Sequence, residues 1–149
     1  MKKNNQKAFT LFELLVSISI IAILTAVAMT SFSGAQRKAR DSRRISDMNT
    51  IQKAAEQYYS FSNYAYPTTG VGTSWVGTNG EKVLEIFPTD PKSVGWTSYS
   101  YNVGVTYCAC AALENVTGGN SSSENCSIGT SGPFYCVKSQ QWQRKMPLV

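Results

Sequence analysis

Lys7-Ala8-Phe9-Thr10-Leu11-Phe12-Glu13-Leu14-Leu15-Val16 opens a run in which, from Ala8 to Met29, Glu13 is the only ionisable side chain. About 20 apolar residues in a helix cross a bilayer core of roughly 30 Å, so the run has the length of a membrane span. A carboxylate inside such a span is costly and marks a functional contact with a dedicated partner. Ahead of it stands a short polar leader, Met1 to Lys7, that carries Lys2, Lys3 and Lys7 and no acid.

The helical signal continues past the apolar run. Between Phe9 and Ser60 there is no proline, and Gly34 is the only glycine. Ile45, Met48, Ile51, Ala55 and Tyr58 then recur at three- and four-residue spacing among polar residues, the pattern of a helix that buries one stripe. Thr30 to Gly34 is the weakest stretch for helix, because Ser, Thr and Gly lower propensity there. Asn63 and Pro67 end the element.

Charge is clustered. Arg37, Lys38, Arg40, Arg43 and Arg44 follow the span against Asp41 alone, whereas from Ile45 onward six basic residues face seven acidic ones. The positive balance therefore reports two juxtamembrane clusters and not a basic nucleic-acid-binding domain. Arg37, Arg40 and Arg44 share a helical face. That face reads as a solvated or inter-subunit surface that meets acidic groups or anionic headgroups. A DNA contact is the alternative, weakened because no aromatic side chain interleaves the cluster to stack bases. The chain has no histidine, which removes histidine acid–base catalysis, His-ligated metals and Ser- or Cys-His triads together. No catalytic residue is assigned.

Beyond the helix, Thr68 to Gly80 reads as a loop with Trp75 as a packing residue, and Glu81 to Phe87 as a short helix or strand. Thr97 to Val103, Val105 to Leu113 and Pro133 to Lys138 carry strand signals. Asn115 to Gly132 is rich in Gly, Ser, Thr and Asn and reads as a loop outside the core. Tyr66, Trp75, Trp96, Tyr99, Tyr101 and Trp142 could line a groove, but aromatics at this density usually form the core of a small sheet domain. Cys108, Cys110, Cys126 and Cys136 all lie in the last third. An even count beyond a membrane segment reads as two disulfides in an oxidising compartment. A zinc site is disfavoured because Cys108-Ala109-Cys110 sits in a strand-like run and lacks knuckle spacing. Cys108 and Cys110 face one side of a strand, so each takes one of the other two. Nesting within a hairpin favours Cys110–Cys126 inside Cys108–Cys136, with the crossed pairing nearly as good. Glu81, Glu85, Asp90 and Glu114 are the acids that could gather around calcium before the final loop, and from Asn115 to the end Glu124 is the only one, a poor start for a hard cation. No metal or cofactor is expected.

Ala8-Phe9-Thr10-Leu11-Phe12-Glu13-Leu14-Leu15-Val16 resembles the prepilin signature of type IV pilins and pseudopilins. Asp41-Ser42-Arg43-Arg44, Ile51-Gln52-Lys53-Ala54, Tyr58-Tyr59 and the Tyr66-Pro67 helix exit also look like bacterial pilin helices. The resemblance implies an α+β fold, a long N-terminal helix packed on a small antiparallel sheet with a disulfide-pinned C-terminal loop. It implies residues 1–8 as a leader cut between Ala8 and Phe9 by a prepilin peptidase, 9–34 as the hydrophobic assembly helix, and 35–149 as the amphipathic helix half and globular head. Phe9 would become the N-methylated first residue, and Glu13 of one subunit would pair with the Phe9 amine of another. The implied product is a structural subunit that waits in the membrane and polymerises into an extracellular filament, driven by an assembly ATPase and a membrane platform protein. A minor pilin or secretion pseudopilin is the alternative, and a membrane-anchored binding domain the rival from another class. Whether such a filament serves adhesion, twitching motility or DNA uptake is left open. The chain departs from the usual pattern in carrying Ala8 where glycine is common and in lacking a helix-bending proline.

Overall fold

The computed structural model describes residues 9–92 and 94–140. The proposed leader, including Ala8, and Trp142 lie outside the described residues. Helix α1 spans Leu11–Phe61 and includes the Thr30–Gly34 stretch. By contact grouping the chain divides into two units, Met1–Gln36 and Arg37–Val149.

In the second unit, α1 buries Asp41, Arg44, Met48, Ile51 and Ala55, residues three or four apart that form one face of a helix. The expected stripe holds at Met48, Ile51 and Ala55 but runs through Arg44, with Ile45 only half-buried. The helix stops at Phe61, where Asn63 and Tyr64 take φ of 53° and 60°. The Tyr64 amide donates back to the Tyr59 carbonyl at 3.2 Å, satisfying a carbonyl that the helix end would orphan.

Strands β1 (Trp75–Val76) and β2 (Lys82–Leu84) form a two-stranded antiparallel ribbon, so the Glu81–Phe87 segment holds a three-residue strand and no helix. Five more form one sheet: β3 (Ser100–Val103), β4 (Tyr107–Ala112), β5 (Gly119–Ser121), β6 (Ile128–Gly132) and β7 (Phe134–Lys138), in the order β3-β4-β7-β5-β6. Alternation on β4 sets the two faces. Tyr107, Ala109 and Ala111 join Met48, Ile51 and Ala55 in the core, whereas Cys108 and Cys110 carry the bridges on the other face. Trp75, Phe87 and Tyr101 extend the core with ring centroids 5.4–5.7 Å apart, within the range of favourable edge and tilted packing.

Strands β5 and β6 lie where a loop was expected. Their sequences, Gly-Asn-Ser and Ile-Gly-Thr-Ser-Gly, have only Ile128 and Thr130 as strand formers among glycines and small polar residues, yet glycine is what lets the backbones meet. A Cβ on Gly119 would lie 2.0 Å from the Phe134 carbonyl oxygen, and one on Gly132 would lie 2.2 Å from that of Ser121. Because the obstacle is backbone, no rotamer relieves it. Gly119→Ala is expected to cost at least the ~1–3 kcal/mol of an overpacked site. A urea unfolding midpoint equal to wild type would contradict this close approach.

The bridges are Cys108–Cys126 and Cys110–Cys136. This corrects the nested expectation of Cys110–Cys126 and Cys108–Cys136. Nesting assumed that the cysteines close one hairpin; instead β7 pairs directly with β4, and the register sets Cys110 opposite Cys136 and Cys108 opposite Lys138. Cys110 thus bonds its cross-strand neighbour, leaving Cys108 to reach the β5–β6 connection. All four sulfurs are bonded, so none of them remains as a thiolate for zinc.

Candidate functional site

Helix α1 begins with a reciprocal cap. The Thr10 hydroxyl oxygen accepts from the Glu13 amide at 3.2 Å, and Glu13 Oε2 accepts from the Thr10 amide at 3.4 Å and from its hydroxyl at 3.3 Å. This Thr-x-x-Glu arrangement is a capping box, which satisfies donors that the first turn leaves open and sets the carboxylate at the positive end of the helix. Thr10 was absent from the expected site residues, although the Thr10-x-x-Glu13 spacing would have revealed it. The Glu13 carboxylate therefore sits one residue from Phe9, where cutting after Ala8 would create an amine.

After that cap the helix presents bare apolar surface. Phe9, Leu11, Phe12 and Met29 are 74–85% exposed, and α1 contains a window long and apolar enough to cross a membrane. Hydroxyls within the run bond the helix's own carbonyls. Ser17 donates to Glu13 O at 2.7 Å, Ser19 to Leu15 O at 2.8 Å and Thr25 to Ala22 O at 3.0 Å. Their polarity is spent internally, which suits a helix embedded in lipid or in other helices.

The second constellation is the arginine face, and here the structure corrects the sequence. Arg37 is exposed, but Arg40 and Arg44 do not form an open inter-subunit surface with it. Arg44 is 0% exposed. Its guanidinium holds Asp90 through two hydrogen bonds of 2.7 and 2.9 Å, Asp41 at 2.7 Å and Glu114 at 3.1 Å. Arg40 grips Glu114 through two further bonds, at 2.5 and 2.8 Å. The Asp41 carboxylate also accepts the amides of Glu114 and Asn115 at 2.9 and 3.0 Å. Trp96 lies 4.8 Å from the Arg44 guanidinium and 4.7 Å from the Lys92 ammonium, within cation–π range. The cluster ties the Asp90 turn and the end of β4 to the helix. Asp90 and Glu114, weighed as calcium ligands, are instead committed to arginines. Their partnership with Arg44 spans 46 and 70 residues of sequence, and no local signal announces it.

Burial disfavours the Arg44 charge, but hydrogen bonds to Asp90, Asp41 and Glu114 outweigh it and hold the guanidinium protonated. The hydrogen bond from Arg40, opposed by burial and reinforced by Arg44, lowers the Glu114 carboxyl to about 2 from 4.5. A lowered folded-state value means that the contribution is present above the unfolded value and is lost as pH falls toward about 2. Stability is therefore expected to decline on acidification from about pH 5 to pH 2, and Glu114→Gln to flatten that decline. Thermal unfolding across this range checks it; parallel profiles for the two proteins would contradict the pairing.

The comparisons converge on the N-terminal segment. Residues 3–29 match the family described as the prokaryotic N-terminal methylation motif. The chain is 35% identical to type II secretion system core protein G of Aeromonas hydrophila over 72 residues, 48% of this chain and 50% of that one. It is 33% identical to the same protein of Escherichia coli over 69 residues, 46% of this chain and 47% of that one. It is 41% identical to the type IV wide pilus major component PilA4 of Thermus thermophilus over 59 residues, 40% of this chain and 45% of that one. The chain thus spans about half the length of these relatives. No solved structure matches it. The N-terminal segment matches a prepilin-type methylation motif and has pilin and pseudopilin relatives, and the long helix, small antiparallel sheets and C-terminal disulfides are consistent with a type IV pilin-like α+β fold.

Proposed function

We propose that this chain is a structural subunit of a type IV pilus, cut between Ala8 and Phe9, methylated at Phe9 and polymerised through its N-terminal helix. The observation that carries the proposal is Glu13, held at the first turn by Thr10 and followed by a helix whose large apolar side chains, from Leu11 to Met29, are exposed among the described residues. Before assembly, lipid covers those side chains; in the filament, helices of neighbouring subunits do. Cleavage creates a Phe9 ammonium beside a carboxylate in a medium that tolerates charges chiefly as pairs. A prepilin peptidase, an assembly ATPase and a membrane platform protein are the partners this route requires, since the chain carries no nucleotide motif of its own. Its role is constructional and not enzymatic.

A secretion pseudopilin is the second reading, favoured by the similarity to core protein G. Against it, Asp90 and Glu114 are occupied by arginines and Glu124 stands alone in the C-terminal loop, whereas resemblance to a major secretion pseudopilin implies an acid-rich, calcium-binding loop there. Shearing of surface filaments separates the two readings. A pilin is expected as the main protein of the sheared fraction. Retention in the envelope, with secreted proteins trapped when the gene is deleted, would overturn the pilus assignment in favour of the pseudopilin.

A further inference from the structure

We infer that the rim of the second unit around residues 37–44 is a docking surface for anionic lipid headgroups, engaged while the chain is held in the membrane. Two loops meet α1 here. The Asp90 carboxylate and the Trp96 ring lie against the Arg44 guanidinium, and Asp41 holds the Glu114 and Asn115 amides. Val94 and Val116 stand on those two loops, 83% and 66% exposed. Arg37 precedes Asp41 by four residues and so lies on the same face of the helix, yet it is exposed where Asp41 is buried. Lys38 and Arg43, also exposed, flank that face. Lys92 is exposed on the first loop, its ammonium 4.7 Å from the Trp96 ring.

The charge balance selects the occupant. The carboxylates that anchor the two loops, Asp41, Asp90 and Glu114, are committed to Arg40 and Arg44. Among the described residues no ion pair engages Arg37, Lys38, Arg43 or Lys92, so the rim turns positive charge outward. A lone exposed valine is ordinary. Two of them among four cations match a lipid interface, where apolar side chains enter the acyl boundary and Lys and Arg meet headgroup phosphates. Only residues 30–36 separate Arg37 from the apolar run that ends at Met29, so insertion of that run delivers the rim to the headgroups. Val105 is just as bare, at 92%, but it stands in the turn between β3 and β4. That turn is at the other end of β4 from Val116, about 20 Å of strand away. The inference rests on membrane insertion of α1 and not on the pilus reading, since a pseudopilin would be held in the same way.

Hydrogen exchange of the full-length protein, inserted as a single copy per nanodisc, tests this by comparing phosphatidylglycerol with phosphatidylcholine. In the anionic discs the peptides that carry Val94 and Val116 are expected to exchange at least about fivefold more slowly, the factor that one Lys or Arg near such a surface supplies. The peptide that carries Val105 is expected to exchange alike in both lipids. About 1 M salt, where the Debye length is about 3 Å, is expected to erase the difference. The Arg37→Gln/Lys38→Gln/Arg43→Gln variant is expected to erase it too; all three side chains are exposed, and an unchanged Val105 peptide reports that the fold persists. Equal exchange in the two lipids, slowing of all three peptides together, or a difference that survives in the triple variant would each overturn the inference. Slowing that appears only when a second copy shares the disc would overturn it as well, and would assign the rim to a neighbouring subunit.

Discussion

Arg44→Ala is expected to destabilise the folded unit Arg37–Val149 by about 3–5 kcal/mol, the cost of removing one partner from a buried ionic cluster. The loss is not that of one average ion pair, because Arg44 serves three carboxylates at once. Without it, Asp90 loses both of its guanidinium bonds, and Asp41 keeps only the amides of Glu114 and Asn115. Arg40 would still neutralise Glu114. It is itself about a quarter exposed (28%), so Arg40→Ala is expected to cost less than Arg44→Ala. Urea unfolding of both variants at neutral pH gives the comparison. The gap between wild type and Arg44→Ala should narrow in acid, where the orphaned carboxylates can take up protons and shed the penalty of unpaired charge. An Arg44→Ala protein within about 1 kcal/mol of wild type would show that the cluster contributes little net stability.

Glu13→Gln is the second large effect, and it falls on assembly. Glutamine can occupy the last position of a capping box as glutamate does, so the first turn of α1 should survive. The charge does not. If Glu13 neutralises the Phe9 ammonium of a neighbouring subunit, an unpaired cation in an apolar surround costs about 3–5 kcal/mol per contact. That corresponds to a fall of two orders of magnitude or more in each assembly equilibrium, at about 1.4 kcal/mol per factor of ten. Filament yield is expected to collapse while the membrane-held level of the protein stays near wild type. Glu13→Ala should behave similarly, with additional fraying of the helix start. Wild-type filament yield from Glu13→Gln would reduce the carboxylate to a helix cap.

How much of this was legible in the sequence follows from the range of each interaction. The helix could be read because its determinants are local: an uninterrupted apolar run, then Met48, Ile51 and Ala55 at helical spacing. Strands β3, β4 and β7 were readable because Tyr, Val and Cys favour a pleated, half-buried surface. Strands β5 and β6 were not, since Gly119 and Gly132 are selected for the absence of a side chain, and that looks like a loop signal in one dimension. The arginine face misled for a different reason. A run of Arg and Lys beside a membrane span ordinarily faces solvent or lipid headgroups, and only the fold brings Asp90 and Glu114 to Arg44. The bridges likewise depend on register, because moving the β4–β7 pairing would change which cysteine opposes Cys136.

At the N-terminus the family resemblance implies the cut and the new amine, the sequence supplies the carboxylate, and the structure adds that Thr10 holds Glu13 at the helix start. The central claim is that this carboxylate waits for an amine that exists only after processing. The intact mass of the protein taken from cells, with fragmentation of its N-terminal peptide, tests that most directly. The expected species begins at Phe9 and carries one methyl group on its amine. A chain that retains Met1 to Ala8 in the assembled or membrane-held protein would contradict the account and leave a simple membrane anchor.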